Sequence, residues 1–142
     1  MKNSICLGTA QFGLNYGINN RRGKLSKEEV FRVLQTAAES GVDFLDTASA
    51  YGDSQRVIGE YGSITSHRFE IISKLPVCSL SDVVPLCERS ISELQVDHLY
   101  GYLVHSFDSY ISRPEIYDAL GELKTRSLIS RMASKFRCRT AA

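Results

Sequence analysis

The chain has 142 residues, of which 43% are hydrophobic and 23% are charged, and its formal net charge is +1. This length and balance are typical of one globular domain, and they exclude a disordered chain, which would combine low hydrophobicity with high net charge. The near-zero charge offers no support for nucleic acid or an anionic membrane as a partner. No segment has the roughly 18 consecutive apolar residues that a membrane-spanning helix requires.

The start of the chain and its cysteines indicate a cytoplasmic protein. The first apolar run, at 5–7, is shorter than the core of about 7–15 residues in a secretory signal peptide. No pair of cysteines has C-x-x-C spacing, so we expect free structural thiols. The cysteines are Cys6, Cys78, Cys87 and Cys138. No metal site is predicted, because the three histidines are scattered along the chain.

Short apolar runs alternate with segments of helical periodicity, beginning at the first residues. The run at 5–8 ends in glycine and predicts a buried strand, which a long loop rich in Gly and Asn follows. Ser26 and Glu29 have the spacing of a capping box and predict the start of a helix. Gly41 predicts the end of that helix, and the short, largely apolar run at 42–46 predicts a second strand directly after it.

The same alternation continues to the end of the predicted domain. Ser54 is predicted to cap a short helix, and residues 69–74 predict a third strand. A third helix is expected at 81–94 and a fourth strand at 99–105. Pro114 is well placed at the start of a fourth helix. The pattern therefore predicts an α/β protein with about four parallel strands.

The alternation of predicted strands and helices is by itself compatible with an open sheet and with part of a barrel. The open dinucleotide-binding fold would have G-x-G-x-x-G after its first strand. The turn at 8–13 reads Gly-Thr-Ala-Gln-Phe-Gly, which has the wrong spacing. A phosphate-binding loop of the form G-x-x-x-x-G-K-[ST] is also missing from the sequence.

Ionisable residues stand at the ends of three predicted strands. Asp46 closes the second strand, Lys74 the third and His105 the fourth, and Tyr51 follows Asp46 by five residues. Taken singly, Asp46 could be a turn or helix-cap residue and Lys74 a solvated surface charge. His105 could be a core histidine and Tyr51 a half-buried loop aromatic. Because the carboxyl ends of parallel strands share one face, we expect the four side chains to converge there, where barrel enzymes build their sites.

The chemistry that these four residue types suggest is proton donation to a carbonyl group. A free phenol is a poor acid near neutrality, but a neighbouring ammonium favours its phenolate form. A carboxylate keeps that ammonium charged and in place, and an imidazole orients the substrate oxygen. Such a set is suited to hydride reduction of an aldehyde or ketone, with the hydride coming from a nicotinamide.

Four stretches of the chain resemble the aldo-keto reductase superfamily. They are Leu-Gly-Thr-Ala-Gln-Phe-Gly at 7–13, Asp-Thr-Ala with Tyr-Gly and Ile-Gly within 46–59, Ile-Ser-Lys-Leu at 72–75 and Tyr-Leu-Val-His at 102–105. The resemblance covers about residues 4–130, and it implies the N-terminal half of a (β/α)8 barrel with the helices outside. All four positions of the family's catalytic tetrad are filled by the expected residue type.

The resemblance also implies roles for individual residues. Tyr51 would be the proton donor, Lys74 and Asp46 the pair that tunes it, and His105 the residue that orients the substrate. The cofactor would be NADP(H), and its nicotinamide end would lie against Gly8, Thr9 and Asp46. The substrate would be a small-molecule carbonyl compound.

The chain departs from the family in its length, because a (β/α)8 barrel takes about 250 residues. We expect a half-barrel at 1–130 and a basic, disordered tail, or a poor partial strand, at 131–142. The abrupt loss of apolar pattern after Arg131 resembles the effect of a frameshift or early stop in a longer gene. The missing half would hold the phosphate and adenosine contacts of the family, so only weak cofactor binding is expected.

Three functions are left open by the sequence. The first is NADP(H)-dependent carbonyl reduction, impaired by truncation. The second is a catalytically silent half-barrel fragment, and the third is a regulatory or scaffold protein that acts through pairing of its strand edges. Two open sheet edges would also favour self-association.

Overall fold

The computed structural model describes residues 5–106, 111 and 113–134. One sheet of five strands has the sequential order β1, β2, β3, β4, β5, and all neighbours are parallel. The strands are β1 (Cys6–Gly8), β2 (Phe44–Asp46), β3 (Glu70–Leu75), β4 (Leu99–Val104) and β5 (Ile129–Ser134). The helices are α1 (Ala10–Gly13), α2 (Lys27–Glu39), α3 (Ser54–Ile64), α4 (Val83–Leu94) and α5 (Glu115–Thr125), with a 3-10 turn at Leu80–Asp82. The predicted parallel α/β architecture is confirmed.

The sheet has one strand more than the four that the sequence predicts. β5 pairs with β4 in a register that places Ile129 beside Leu99. Ile129 is buried, whereas Ser130 and Arg131 are exposed, so β5 lacks the continuous apolar run of a buried strand. Residues 131–134 of the segment expected to be a tail lie in β5, and residues 135–142 lie outside the described part of the chain.

Local hydrogen bonds explain where α2 begins. The Oγ atom of Ser26 accepts from the Glu29 amide at 3.2 Å, and the Glu29 carboxylate accepts from the Ser26 amide at 2.9 Å. The predicted capping box is therefore confirmed. Gly41 follows the helix with φ +74, a conformation that glycine adopts without steric cost. None of the described helices has the length and apolar character needed to cross a membrane.

The prediction that Ser54 caps a helix is wrong. Helix α3 begins at Ser54 itself, and the side chain of the preceding Asp53 caps none of the helix amides; its carboxylate accepts from the Arg56 guanidinium instead. The Ser54 hydroxyl instead bonds to Thr9, 45 positions away in the sequence. Because Ser54 is fully buried, tertiary partners rather than local amides satisfy its hydroxyl.

The core lies between one face of the sheet and the helices. Leu45 and Ile71 are in register on β2 and β3, and both are buried in this core. The helices contribute Val30, Leu34, Val57, Ile58, Cys87, Leu94, Ile116, Leu120 and Leu123. Side chains alternate along a strand, so Asp46 and Lys74 lie on the opposite face of the sheet. The face of the sheet that does not pack against the helices can therefore carry these polar residues.

The described cysteines are free thiols with different surroundings. Cys6 is exposed at β1, Cys78 is half-buried, and Cys87 is buried on α4. Burial raises the pKa of the Cys87 thiol to about 12, so this group stays neutral. The three described thiols are free, as the spacing predicts, and Cys138 lies outside the described residues.

Candidate active site

The four predicted site residues converge at the carboxyl end of the sheet. Asp46 is the last residue of β2, and Lys74 precedes the last residue of β3. His105 directly follows β4, and its amide donates to the Leu75 carbonyl at 3.0 Å. Tyr51 lies in the loop between β2 and α3. The structure therefore brings together the three residues at the strand ends and Tyr51 from the loop.

Lys74 is held by two acceptors that belong to neighbouring residues. Its Nζ atom donates to the Asp46 carboxylate and, at 2.9 Å, to the main-chain carbonyl of Thr47. The Lys74 side chain is only 3% exposed, whereas that of Asp46 is 41% exposed. A buried ammonium requires a paired charge, and the half-exposed carboxylate provides it while keeping contact with solvent.

Tyr51 lies close to both the ammonium of Lys74 and the imidazole of His105. The Nζ atom of Lys74 is 5.0 Å from the centroid of the Tyr51 ring, which is within the range of a cation–π contact. The ring of His105 meets Tyr51 edge-on, with 6.2 Å between centroids and an interplanar angle of 87°. A phenol, a cation and an imidazole therefore share one small region, next to the carboxylate that balances the cation.

Two glycines allow the Tyr51 loop to approach α1. A Cβ atom on Gly13 would collide with the carbonyl oxygen of Tyr51, and one on Gly52 would collide with the carbonyl oxygen of Gly13. Gly52 also has φ +58, which favours glycine. Nothing local in the sequence predicts this contact, although both glycines belong to the stretches that carry the family resemblance.

A buried hydroxyl cluster beneath the site was also missed. The Oγ atom of Ser54 lies 3.0 Å from Oγ1 of Thr9 and 3.3 Å from Oγ1 of Thr47. The Thr9 hydroxyl donates to the Asp46 carbonyl at 3.0 Å. Ser54 had only a local signal in the sequence, that of a helix cap, and nothing there indicates its distant partners.

The predicted cofactor residues border a cleft at the ends of β1 and β2. The cleft has a volume of about 460 Å³ and is lined by Gly8, Thr9, Asp46 and Tyr51, with apolar side chains that include Leu7. A Cβ atom on Gly8 would meet no atom within 4 Å, so this position faces open space. The side chain of Thr9 is fully buried, and its hydroxyl is bonded within the protein.

Comparisons with known proteins agree on one family. The model of the Aldo/keto reductase family matches residues 4–133. Norsolorinic acid reductase B of Aspergillus parasiticus is 27% identical over 139 residues, which cover 84% of this chain and 36% of that protein. The oxidoreductase YrpG of Bacillus subtilis is 25% identical over 146 residues, which cover 87% of this chain and 42% of that protein.

Solved structures share the fold. The PA4992 protein of Pseudomonas aeruginosa is 29% identical, with a TM-score of 0.79 over 91% of this chain and 54% of that one. An aldo-keto reductase of Klebsiella pneumoniae in complex with NADPH is 23% identical, with a TM-score of 0.72 and 44% of its chain covered. The present chain thus spans about half the length of these structures. Its fold matches part of a (β/α)8 barrel. With the family model matching most of its length and the tetrad residues gathered at one end of its sheet, the chain belongs to the aldo/keto reductase family.

Proposed function

We propose that the chain carries the catalytic residues of an NADP(H)-dependent reductase that converts an aldehyde or ketone into an alcohol. One observation carries this proposal. A buried, ion-paired Lys74 ammonium lies 5.0 Å from the Tyr51 ring centroid, at the end of the sheet where His105 and the cleft are also located. Membership of the family supports carbonyl reduction in general.

Each residue of the tetrad has a defined task in this proposal. The Tyr51 hydroxyl donates its proton to the carbonyl oxygen of the substrate. The Lys74 ammonium stabilises the phenolate that remains, and Asp46 keeps the ammonium charged. His105 orients the substrate oxygen toward Tyr51. NADPH, when bound, supplies the hydride that reduces the carbonyl carbon.

The residues at the cleft fit the nicotinamide end of the cofactor. Gly8 faces open space, and the Asp46 carboxylate is 41% exposed and so retains acceptor capacity beside its bond to Lys74. Thr9 contributes through the shape of the turn, since its hydroxyl is committed to Asp46. The cleft of about 460 Å³ is within the range of roughly 300–1,000 Å³ that is typical of ligand sites.

The proton donor is tested by following NADPH consumption with a simple aldehyde. Tyr51→Phe deletes one hydroxyl and little volume, and we expect it to lower turnover by roughly 10²–10⁴-fold. Tyr100→Phe is the matched control, because the Tyr100 ring packs against Phe44 and should leave activity within twofold. A Tyr51→Phe protein that keeps most of its activity would refute the assignment of the donor.

Cofactor affinity is tested by titrating NADPH fluorescence with the chain. We expect binding weaker than micromolar, because the family resemblance assigns the phosphate and adenosine contacts to the loops after the last two strands. Micromolar or tighter binding would contradict this view of where the affinity originates. Absence of both binding and reduction would favour a catalytically silent fragment.

A further inference from the structure

We infer that Ser54 is a positioning residue, whose buried hydroxyl fixes the segment 46–47 and thereby the ammonium of Lys74. Its importance for catalysis rests on the proposed function. Its effect on Lys74, however, is a property of the folded chain and can be measured without any reaction. Three buried hydroxyl groups lie together next to the residues that hold Lys74.

Ser54 connects two loops at the carboxyl end of the sheet. Its Oγ atom lies 3.0 Å from Thr9 Oγ1, 3.1 Å from the Thr9 carbonyl and 3.3 Å from Thr47 Oγ1. Ser54, Thr9 and Thr47 are all 0% exposed. Water therefore cannot replace a partner that is lost from this cluster, and each hydroxyl depends on the others.

The direction of the hydrogen bonds in the cluster follows from its last acceptor, the main-chain carbonyl of Asp46. A main-chain carbonyl only accepts, so the Thr9 hydroxyl donates its proton to the Asp46 carbonyl, at 3.0 Å. The Ser54 proton is directed to Thr9, at either its hydroxyl or its carbonyl. Thr47 must then donate to Ser54. With the Ser54 proton on the shorter of these two contacts, that to the Thr9 hydroxyl, the donors form a chain from Thr47 through Ser54 and Thr9 to Asp46, in which each bond polarises the next.

Both ends of this chain of hydrogen bonds belong to the residues that hold Lys74. The ammonium donates to the Asp46 carboxylate and to the Thr47 carbonyl. The hydroxyl cluster binds the Asp46 carbonyl and the Thr47 side chain. Ser54 also reaches Tyr51, because its amide donates to the Tyr51 carbonyl at 3.1 Å. One buried serine thus links the supports of the ammonium to the loop that carries the phenol.

The test measures how well Lys74 is protected from a reagent. The folded chain is treated with limiting acetic anhydride at constant pH, and acetylation of Lys74 is quantified by peptide mass spectrometry. Lys27, whose side chain is 52% exposed, serves as an internal standard for the reagent. We expect Ser54→Ala to raise acetylation of Lys74 by roughly 5- to 30-fold, because a lost buried hydrogen bond increases local opening by such a factor.

Two controls separate positioning from general stability. Ser63→Ala removes a hydroxyl from the exposed end of α3, where it donates to the Glu60 carbonyl, and should change acetylation of Lys74 less than twofold. Hydrogen exchange of the β4 amides should stay unchanged in Ser54→Ala. Unchanged acetylation of Lys74, or an equal increase of exchange throughout β4, would overturn the inference.

A second pair of variants keeps the test decisive if Ser54→Ala does not fold. Thr47→Val removes the hydroxyl that donates to Ser54 and nearly preserves the shape of the side chain, so acetylation of Lys74 should rise. Thr47→Ser keeps the hydroxyl and should restore protection to within twofold of the original chain. Equal protection in both variants would overturn the role of the hydroxyl cluster.

Activity measurements distinguish this inference from the proposed function. If the chain reduces an aldehyde, Ser54→Ala should lower kcat by about tenfold and leave KM for the aldehyde within twofold, since it acts through Lys74 and Tyr51. An unaltered kcat beside increased acetylation would show that opening of this segment does not limit turnover, which removes the importance of Ser54 for catalysis but not its effect on Lys74. The proposed function is contradicted separately, by a Tyr51→Phe protein that keeps most of its activity.

Discussion

Lys74 shows how a single side chain can be charged and still buried. Its side chain is 3% exposed, yet its ammonium has the Asp46 carboxylate and the Thr47 carbonyl as acceptors. Two acceptors from adjacent residues restrict the position of the ammonium more than one surface ion pair would. The carboxylate remains half-exposed, so its own solvation is largely retained. The charge can therefore be placed beside Tyr51 with limited loss of stability.

Replacement of Lys74 should separate its chemical role from its contribution to folding. We expect Lys74→Met to lower aldehyde reduction by at least about 10²-fold, because no cation would then stabilise the phenolate of Tyr51. The free energy of unfolding should change little, since Asp46 can be solvated. Lys27→Met, which removes a surface cation paired with Glu60, is the control and should leave turnover unchanged.

His105→Gln should be milder than either Tyr51→Phe or Lys74→Met. Glutamine retains hydrogen-bonding groups, so substrates that need little orientation should lose the least turnover. Steady-state rates with a small aldehyde and with a bulkier ketone provide the comparison. A loss for His105→Gln as large as that for Tyr51→Phe would show that the imidazole does more than orient the substrate.

At the scale of elements, the contact between α1 and the loop after β2 depends on a lack of side chains. Gly13 and Gly52 face one another, and a Cβ atom on either would collide with the backbone of the other segment. Backbone atoms cannot move aside as a flexible side chain does. The packing of these two segments therefore determines where the Tyr51 loop lies.

Gly13→Ala should be strongly destabilising. We expect the free energy of unfolding to fall by about 3 kcal/mol, the upper part of the range for overpacking, and reductase activity to fall as Tyr51 is displaced. Gly121→Ala is a matched control on α5, because a Cβ there meets no atom within 4 Å. That variant should gain up to about 1 kcal/mol from the better helix propensity of alanine. Urea unfolding measures both, and equal stability of the two variants would contradict the predicted collision.

At the scale of the whole molecule, the sheet is open on both sides within the described part of the chain. β1 and β5 each pair with one neighbouring strand, so each presents a free row of backbone groups. Ile5, directly before β1, is 62% exposed. Open edges with exposed apolar residues favour pairing with another copy of the chain.

Light scattering should show that the mean mass increases with protein concentration. Ile5→Lys places a charge beside the edge of β1, and we expect it to reduce this association. Ile64→Lys is the control, because Ile64 is 70% exposed at the end of α3, remote in the sequence from either edge strand. A chain that stays monomeric at all concentrations, or an equal effect of both variants, would contradict association through β1.

Much of the candidate site could be predicted from the sequence, because the relevant signals are local. Asp46, Lys74 and His105 each follow an apolar run, and parallel strands bring their carboxyl ends to one face. The capping box of Ser26 and Glu29 likewise depends on residues three positions apart. Hydrophobic periodicity and short-range hydrogen bonding thus determined the order of the elements and the face that carries the polar residues.

Other features were decided only by the tertiary structure. The partner of the Ser54 hydroxyl is 45 positions away, and the contact between Gly13 and Tyr51 joins segments separated by a helix and a strand. β5 exists as a strand because β4 offers it a register and the core accepts Ile129. Such contacts depend on how already formed elements pack, and residues far apart in the sequence carry no local signal of the distance between them in the fold.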